Sequence, residues 1–260
     1  MKLTFLGSGS FFASPGNFHS NLLLQTDSGK NLLIDCGSDL RHSLVARGLK
    51  PQDIHAVYVS HPHDDHAGGL EYLGFAGYFM PDMTKPDLFC HESMLDQLWF
   101  GRLAVAMATL TEKQACFSDY YKLHRVKTGF TYGGIRFRLV PAIHVVNNKS
   151  GHMYSYGLFM TLNNVKVYFT SDVGFPNIKF DPCAWDLESH YRNYVRADVI
   201  FHDCETINAS DVHAHYDFLK DLDPKIKSKM WLYHTQASAQ PDAIEDGFLG
   251  IVQPGQEFNF

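Results

Sequence analysis

Short apolar runs that end in polar clusters recur along the chain and predict a strand-rich α/β protein. The clearest run, Ala56–Val59, leads into a polar segment, His61 to Gly69, with three histidines and two aspartates. A run of this kind is typical of a buried strand that presents polar residues at a sheet edge. Pro62 disfavours a helix across the polar residues, and the Gly68-Gly69 pair frees the backbone after them.

The same pattern predicts strands, a helix, a strand and a polar cluster once in each half of the chain. Predicted strands cover Lys2 to Leu6, Asn21 to Thr26, Asn31 to Asp35, Leu88 to Cys90, Met153 to Leu162, Val165 to Thr170, Asp198 to Phe201 and Met230 to Tyr233. Phe130 to Val140 is either one strand or a hairpin that turns at Gly133-Gly134. Predicted helices begin near Cys36, Gly69, Glu92, Pro182, His213 and Pro241, and the last four extend to about Ala115, Arg196, Leu222 and Leu249.

Four further polar residues stand where an apolar strand ends. They are Asp35, His144, Asp172 and His234. Any one of them alone is typical of a capping or hydrogen-bonded core residue. With the histidine-rich segment, however, they make a set of seven or eight candidate ligands at strand ends. Imidazole and carboxylate suit Zn²⁺ and similar divalent ions, so the set predicts a site for one metal ion or a close pair.

Composition narrows the class of protein. The 260 residues allow one large domain or two small ones, and the absence of a linker or repeat favours a single domain over 1–260. A net charge of −6 provides no global basic field for nucleic acid. The five cysteines form no C-x-x-C pair and indicate free thiols in a reducing compartment. No apolar stretch approaches the length of a membrane span, so we expect a cytoplasmic protein.

The motif series resembles the five motifs of the metallo-β-lactamase superfamily. It consists of Leu33 to Gly37, His61-x-His63-x-Asp65-His66, His144, Asp172 and His234. The resemblance implies an αββα sandwich of two mixed β-sheets flanked by helices. It implies that His61, His63 and His144 hold a first metal, that Asp65, His66 and His234 hold a second, and that Asp172 bridges them. Asp35 would orient a ligand. Two divalent ions are implied, with zinc first and manganese or iron as alternatives.

Four further stretches indicate a branch of this superfamily. Met1 to Gly9 resembles the start of RNase Z-type phosphodiesterases. The segments 197–205, 212–217 and 229–234 are similar to the compact RNase Z-like group that includes the phage anti-Pycsar phosphodiesterases. Relatives in this branch use a histidine as proton donor, and His213 and His215 both occupy that part of the chain. The spacing of 21 residues before His234 favours His213, and both stand with Asp65 as candidate catalytic residues.

The resemblance implies a dinuclear phosphodiesterase that hydrolyses small 3′,5′-cyclic nucleotides and counters cyclic-nucleotide immune signalling. It further implies a cytoplasmic homodimer, in the host cytoplasm if phage-encoded, with no long nucleic acid and no membrane as partner. An RNase Z-type tRNA 3′-processing endonuclease is the main alternative, although the chain lacks a basic arm and is acidic. A lactonase or other ester hydrolase of the same fold also stays open. A non-catalytic nucleotide-binding module is disfavoured by the complete ligand set.

Overall fold

Two seven-stranded mixed sheets carry the architecture, in a computed structural model that describes residues 1–147, 149, 151–174, 187–210, 212–236 and 240–260. The strands are β1 Lys2–Phe5, β2 Leu22–Gln25, β3 Asn31–Ile34, β4 Ala56–Val59, β5 Asp87–His91, β6 Lys122–Val126, β7 Gly129–Tyr132, β8 Ile135–Val145, β9 Met153–Leu162, β10 Val165–Phe169, β11 Val199–Asp203, β12 Met230–Tyr233, β13 Gly250–Ile251 and β14 Glu257–Asn259.

Most helices are short. The α-helices are α1 Leu40–Ala46, α2 Asp64–Ala67, α3 Leu70–Phe79, α4 Leu95–Leu98, α5 Ala104–Met107, α6 Phe117–Tyr120, α7 Leu187–Arg196, α8 Tyr216–Lys220 and α9 Pro224–Lys227. Pro51–Asp53 and Glu92–Met94 form 3₁₀ turns, and Trp99–Leu103 forms a π-helical turn between α4 and α5. In the described part of the chain no helix is long and apolar enough to cross a membrane.

The two sheets have mirrored topologies. The first has the order β14-β1-β2-β3-β4-β5-β6, and the second has β13-β12-β11-β10-β9-β8-β7. In the first sheet β3 to β6 are parallel, and in the second β10 to β13 are parallel. This topology confirms the prediction that one strand pattern occurs in each half. Because carboxyl ends of parallel strands lie at one edge of a sheet, each half presents its polar residues at such an edge.

Apolar side chains pack between the two sheets and also between the sheets and the helices. Phe5 of the first sheet contacts Phe201 of the second, with ring centroids 5.1 Å apart. Leu40 and Leu73 from α1 and α3 are buried in the same core as these strands. A separate core cluster lies on the second sheet and includes Leu219 of α8. The αββα fold predicted from the resemblance is therefore confirmed.

Several predicted boundaries change in the structure. The Phe130 to Val140 stretch is a hairpin, and β8 continues to Val145. The predicted helix from Glu92 ends at Met107 rather than near Ala115, because Thr109 and Gln114 pair across a polar turn. The predicted helix at 241–249 is a series of turns that ends where Gly247 takes a φ of 92°.

Two further differences concern the site. The predicted helix from His213 begins only at Tyr216, since the backbone of His215 is extended and bridges Glu205. Although Pro62 was expected to keep the metal segment free of helix, the one-turn helix α2 begins two residues later. Of the helix predicted at 182–196, residues 182–186 lie outside the described residues. Cys36, Cys90, Cys116 and Cys204 are free thiols, as expected, and the fifth cysteine, Cys183, lies outside the described residues.

Candidate metal centre

Strand ends from both sheets meet at one edge of the sandwich. Asp35 follows β3, His61 follows β4 after Ser60, and Asp172 and His234 follow β10 and β12. A hydrogen bond connects the two sheets at this edge, in which the backbone N–H of Tyr156 donates to the Ser60 carbonyl at 3.1 Å. All predicted metal residues except His63 are buried. The sequence pattern thus places polar side chains from distant parts of the chain in one buried group.

The backbone adopts a left-handed conformation at three of these strand ends. Asp35, Ser171 and His234 have φ values of 62°, 55° and 63°. Residues other than glycine adopt such values at a cost of order 1–3 kcal/mol each, and they cluster at functional sites. Here each lies one to two residues past a strand, where the chain must turn sharply to present the next polar side chain. The fold therefore accepts local strain to assemble this group.

Three imidazole nitrogens converge in a first set with Asp172. His63 Nδ1 lies 3.2 Å from His61 Nε2 and 3.0 Å from His144 Nε2. Asp172 Oδ2 lies 3.7 Å from His61 Nε2 and 3.6 Å from His144 Nε2. Zn–N bonds of 2.0–2.1 Å in tetrahedral geometry separate ligand nitrogens by about 3.3 Å. The spacing of the first set is close to that value.

A second set surrounds the other side of Asp172. His66 Nε2 lies 3.3 Å from Asp65 Oδ2 and 3.2 Å from Asp172 Oδ2. His234 Nε2 lies 3.1 Å from Asp65 Oδ2 and 3.6 Å from Asp172 Oδ2. The ligand atoms in each set lie within 4.8 Å of one another. Asp172 is common to both sets, in the position that the resemblance implied.

Unpartnered polar atoms support metal binding. Asp172 Oδ1 and His66 Nε2 are buried and have no aligned hydrogen-bond partner among the described residues, although His66 Nε2 is close to two carboxylates. A buried polar atom without a partner costs about 1–3 kcal/mol, and more when it is charged. Imidazole and carboxylate donors of this kind fit Zn²⁺, and also Mn²⁺ or Fe. The residues present therefore fit divalent metal binding.

Hydrogen bonds outside the two sets fix the imidazole tautomers. His66 Nδ1 donates to Asp35 Oδ2 at 2.8 Å, and His144 Nδ1 donates to the Val212 carbonyl at 2.8 Å. Ser60 donates its backbone N–H and hydroxyl to the same Asp35 carboxylate, each at 2.8 Å. In the neutral form of each ring the proton is on Nδ1, so Nε2 is the nitrogen that would present a lone pair to a metal ion. Asp35 thus occupies the orienting position expected for it.

Within this group, the surroundings favour the neutral form of some side chains and the charged form of others. Burial lowers the pKa of His61 and lowers the pKa of His144 to about 4, so both rings are neutral as ligands must be. Burial also favours neutral His66, but the carboxylates of Asp172 and Asp65 outweigh it and raise the pKa of His66. For Asp172 itself, burial is outweighed by nearby histidines, which hold its pKa well below the usual value. Attraction between opposite charges is therefore strongest in the second set, between His66 and the carboxylates of Asp65 and Asp172.

His213 and His215 have different surroundings. His213 Nδ1 lies 3.0 Å from Asp203 Oδ2 and 3.8 Å from Asp172 Oδ2. Burial alone would lower the pKa of His213, but the hydrogen bond to Asp203 and the charges of Asp172 and Asp203 together outweigh it and raise the pKa to about 9. His215 instead caps α8, since its Nδ1 accepts from the Asp217 backbone N–H at 3.3 Å. Only His213 of the two belongs to a histidine and aspartate group at the centre.

Asp203 is the residue that sequence reasoning missed. It is buried at the end of β11 and bonds His213, and His202 Nδ1 donates to its carbonyl at 2.7 Å. Tyr194 Oη donates in turn to His202 Nε2 at 2.7 Å. Burial lowers the pKa of His202, which keeps this ring neutral between its two partners. The signal in the sequence was a carboxylate two residues after the apolar run Val199–Phe201, which alone is equally typical of a capping residue.

Asp64 lies beside the centre without joining it. Its carboxylate pairs with Arg102, which also donates to the Pro62 carbonyl at 3.2 Å. This pair connects the histidine-rich segment to the π-helical turn. Among the polar residues from His61 to His66, Asp64 is the one that faces away from both ligand sets.

Three solved structures share the fold of this chain. The metallo-β-lactamase fold protein YhfI from Bacillus subtilis has a TM-score of 0.71 at 19% identity, over 99% of this chain and 98% of that chain. Zn²⁺-bound PqqB from Methylobacterium extorquens has a TM-score of 0.73 at 15% identity, over 100% of both chains. Human tRNase Z, short form, has a TM-score of 0.68 at 16% identity, over 100% and 99%. These likenesses show the metallo-β-lactamase fold, and the histidine and aspartate groups of this chain could hold a metal ion.

The chain belongs to the Anti-Pycsar protein Apyc1 family, whose model matches residues 1–258. The Anti-Pycsar protein Apyc1 of Paenibacillus harenae is 30% identical over 264 residues, covering 99% of both chains. The Apyc1 of Bacillus phage 010DV004 is 28% identical over 270 residues, covering 99% of this chain and 98% of its own. The resemblance that the motifs indicated is confirmed.

Proposed function

We propose that the protein is a dinuclear metal-dependent phosphodiesterase that hydrolyses small 3′,5′-cyclic nucleotides to nucleoside monophosphates. The observation that carries this proposal is the pair of ligand sets sharing Asp172, with the Asp203–His213 pair beside them. The relatives bear the name anti-Pycsar protein, and from it we infer that this chain also counters cyclic-nucleotide immune signalling. In a phage-encoded setting it would act in the host cytoplasm.

The proposed metal ligands are the residues predicted from the motifs. His61, His63, His144 and Asp172 would hold one ion, and Asp65, His66, Asp172 and His234 the other. When bound, two divalent ions would supply a nucleophile at neutral pH and stabilise negative charge on the phosphoryl oxygens. Zinc is the proposed metal, since histidine nitrogens and carboxylate oxygens make up both sets. Histidines hold the pKa of Asp65 below its usual value against the effect of burial, so it stays an anionic ligand.

His213 is the proposed general acid. In the hydrolysis, water adds to phosphorus, the bond from phosphorus to the 3′ oxygen breaks, and that oxygen takes a proton. An acid that is protonated at neutral pH and lies beside the metals suits this step. With Nδ1 held by Asp203, the Nε2 of His213 is the nitrogen that can serve a substrate. His215 is left with the structural role of capping α8.

We further infer a homodimer. In the segment 92–118 the side chains of Leu95, Leu98 and Leu103 are buried, whereas Phe100 is 73% and Val105 91% exposed. The segment therefore packs on its own chain and still presents apolar surface, which a second copy would cover. Light scattering tests this part of the proposal, and a monomer at micromolar concentration would overturn it.

One assay tests the catalytic proposal. Protein loaded with Zn²⁺ or Mn²⁺, with its metal content measured, is incubated with cAMP, cGMP, cCMP and cUMP. We expect conversion of at least one to the nucleoside monophosphate, with two ions per chain. Turnover of homoserine lactones or of a tRNA precursor alone would support the alternative activities. If all four cyclic nucleotides stay intact, the proposal fails.

A further inference from the structure

A hollow formed by β7, β8 and β9 lies away from the metal centre. Its volume is about 430 Å³, and cavities of about 300–1,000 Å³ are typical of small-molecule sites. On β8 the hollow is lined by Arg138, which precedes His144 by six residues, about 20 Å at the rise of a strand. The hollow is therefore separate from the metal ligands.

The strand register decides which side chains face this hollow. Arg138 pairs with Gly129 of β7 and with Phe159 of β9, and Phe159 pairs with Tyr168 of β10. Tyr168 belongs to the separate core cluster of the second sheet, on the side that α7 and α8 cover. Paired residues project from the same face of a sheet, so Arg138 and Phe159 project from this outer face. Gly129 has no side chain, which leaves open space beside Arg138.

Two arginines give the hollow its charge. Arg136 and Arg138 are alternate residues of β8, so they project from one face with Cα atoms about 6.6 Å apart. Both are exposed, and among the described residues neither has a carboxylate within salt-bridge distance. Burial lowers the pKa of Arg138, and the nearby charge of Arg196 adds to that effect. Positive charge is therefore gathered here without a counter-charge, in a chain whose net charge is −6.

The contacts of Arg138 orient its guanidinium and leave donors unused. The guanidinium donates to Asn193 Oδ1 at 2.7 Å and lies 5.0 Å from the Phe159 ring centroid. A guanidinium has five N–H donors, so this one hydrogen bond leaves others for a ligand. Three threonines of the same lining add hydroxyl donors, namely Thr128, Thr131 and Thr161. No carboxylate is among the described residues of the lining, so the hollow offers positive charge and donors together.

We propose that this hollow is a second binding site, for a small molecule that carries a phosphate monoester. Guanidinium groups match the geometry of phosphate oxygens and bind them with strong, charge-assisted hydrogen bonds. A phosphate monoester carries a charge of about −1.5 to −2 at pH 7, which two arginines balance. A phosphate diester carries a single charge, so the hollow favours the monoester. The site contributes binding only and does not depend on the proposed phosphodiesterase activity.

Amide NMR signals of the zinc-loaded full chain test this site, because they distinguish binding in the hollow from binding at the metals. Inorganic phosphate, AMP and dimethyl phosphate are each titrated at constant ionic strength while the signals of Thr131, Arg138 and Thr161 are followed. We expect saturable shifts with inorganic phosphate and with AMP, with a dissociation constant of about 1 mM. Dimethyl phosphate, a diester, should bind about tenfold more weakly, since it loses one charge-assisted contact.

Variants of the two arginines test the lining. Arg136→Gln removes an exposed guanidinium and should weaken phosphate binding about tenfold. Arg138→Gln should do the same, but it also removes the contacts with Asn193 and Phe159, so its signals outside the hollow are checked for an intact fold. Arg125→Gln, exposed on β6 of the other sheet, is the matched control and should leave binding unchanged.

The outcomes decide the site separately from the proposed function. Saturable shifts that Arg136→Gln weakens and Arg125→Gln preserves support the site, whether or not cyclic nucleotides are hydrolysed. Signals that do not move at about ten times the expected dissociation constant, or shifts that Arg136→Gln leaves unchanged, overturn it. Equal affinity for dimethyl phosphate would show a general anion surface and also overturn it. Intact cyclic nucleotides in the activity assay overturn the proposed function alone, because this titration involves no turnover.

Discussion

The two halves of the metal centre are built in different ways. One half comes from a single segment, in which four predicted ligands lie between His61 and His66. The other half is assembled from Asp172, His234 and the Asp203–His213 pair, which follow separate strands or lie on the loop before α8. The first is a local motif, whereas the second exists only once β10, β11 and β12 lie side by side. Four of the proposed metal ligands are therefore contiguous in sequence, whereas the other three and the proposed proton donor come together only through tertiary structure.

The largest expected effect concerns Asp172, which joins the two halves. In Asp172→Asn the neutral amide cannot replace an anionic oxygen that lies within 3.8 Å of five imidazole nitrogens. We expect loss of both ions in metal analysis and no detectable phosphodiesterase activity. The control is Asp64→Asn in the local motif, which breaks only the partly exposed pair with Arg102, at most about 1 kcal/mol. Full metal content in the Asp172 variant would contradict the shared-ligand assignment.

The next effect distinguishes the two histidines before α8. His213→Ala should keep its metal and lose about 10²–10⁴-fold in kcat, the usual contribution of a general acid. His215→Ala removes a helix cap, so we expect a loss of about 0.5–2 kcal/mol in stability and little change in kcat. Steady-state kinetics and urea unfolding on both variants provide the measurement. Equal losses of kcat would remove the distinction on which the proton-donor proposal depends.

A smaller effect follows from Asp203. Its hydrogen bond and charge, together with the charge of Asp172, outweigh burial and raise the pKa of His213 to about 9, so the imidazolium is present below that pH and is lost above it. In Asp203→Asn the Asp203 contribution is lost while that of Asp172 remains, so the pKa of His213 falls and the protonated form disappears at a lower pH. The alkaline limb of the kcat profile should therefore move to lower pH, with a loss of about tenfold at pH 8. An unmoved limb would exclude His213 as the titrating acid.

The smallest expected effect concerns Tyr194 and His202, whose hydrogen bonds lead to the Asp203 carbonyl. Tyr194→Phe leaves the buried His202 Nε2 without its donor, at a cost of about 1–3 kcal/mol in stability. We expect only a few-fold change in kcat, since the Asp203–His213 contact itself remains. Tyr191→Phe on the exposed side of α7 is the control and should change neither quantity. A stability loss equal in both variants would show that the Tyr194 bond contributes nothing particular.

The contrast between the local motif and the residues that tertiary structure brings together explains how much of the site could be predicted from the sequence. The local motif could be predicted because its ligands are contiguous, and Asp172 and His234 could be predicted through the order of motifs. Asp203 could not, since one carboxylate after Val199–Phe201 does not differ in sequence from an ordinary capping residue. The surroundings of His215 depend on its bridge to Glu205, a long-range pairing that local periodicity does not encode. The predicted end of the helix from Glu92 and the predicted helix at 241–249 were wrong for the same reason.

Titration of metal-free protein with Zn²⁺ tests the central claim most directly, when cyclic-nucleotide hydrolysis and anomalous X-ray scattering are followed on the same preparation. The account predicts that activity reaches its maximum at two equivalents. It also predicts two anomalous peaks, one among His61, His63 and His144 and one among Asp65, His66 and His234, with Asp172 between them. Full activity at one equivalent with a single peak, or two filled sites that leave every cyclic nucleotide intact, would contradict it.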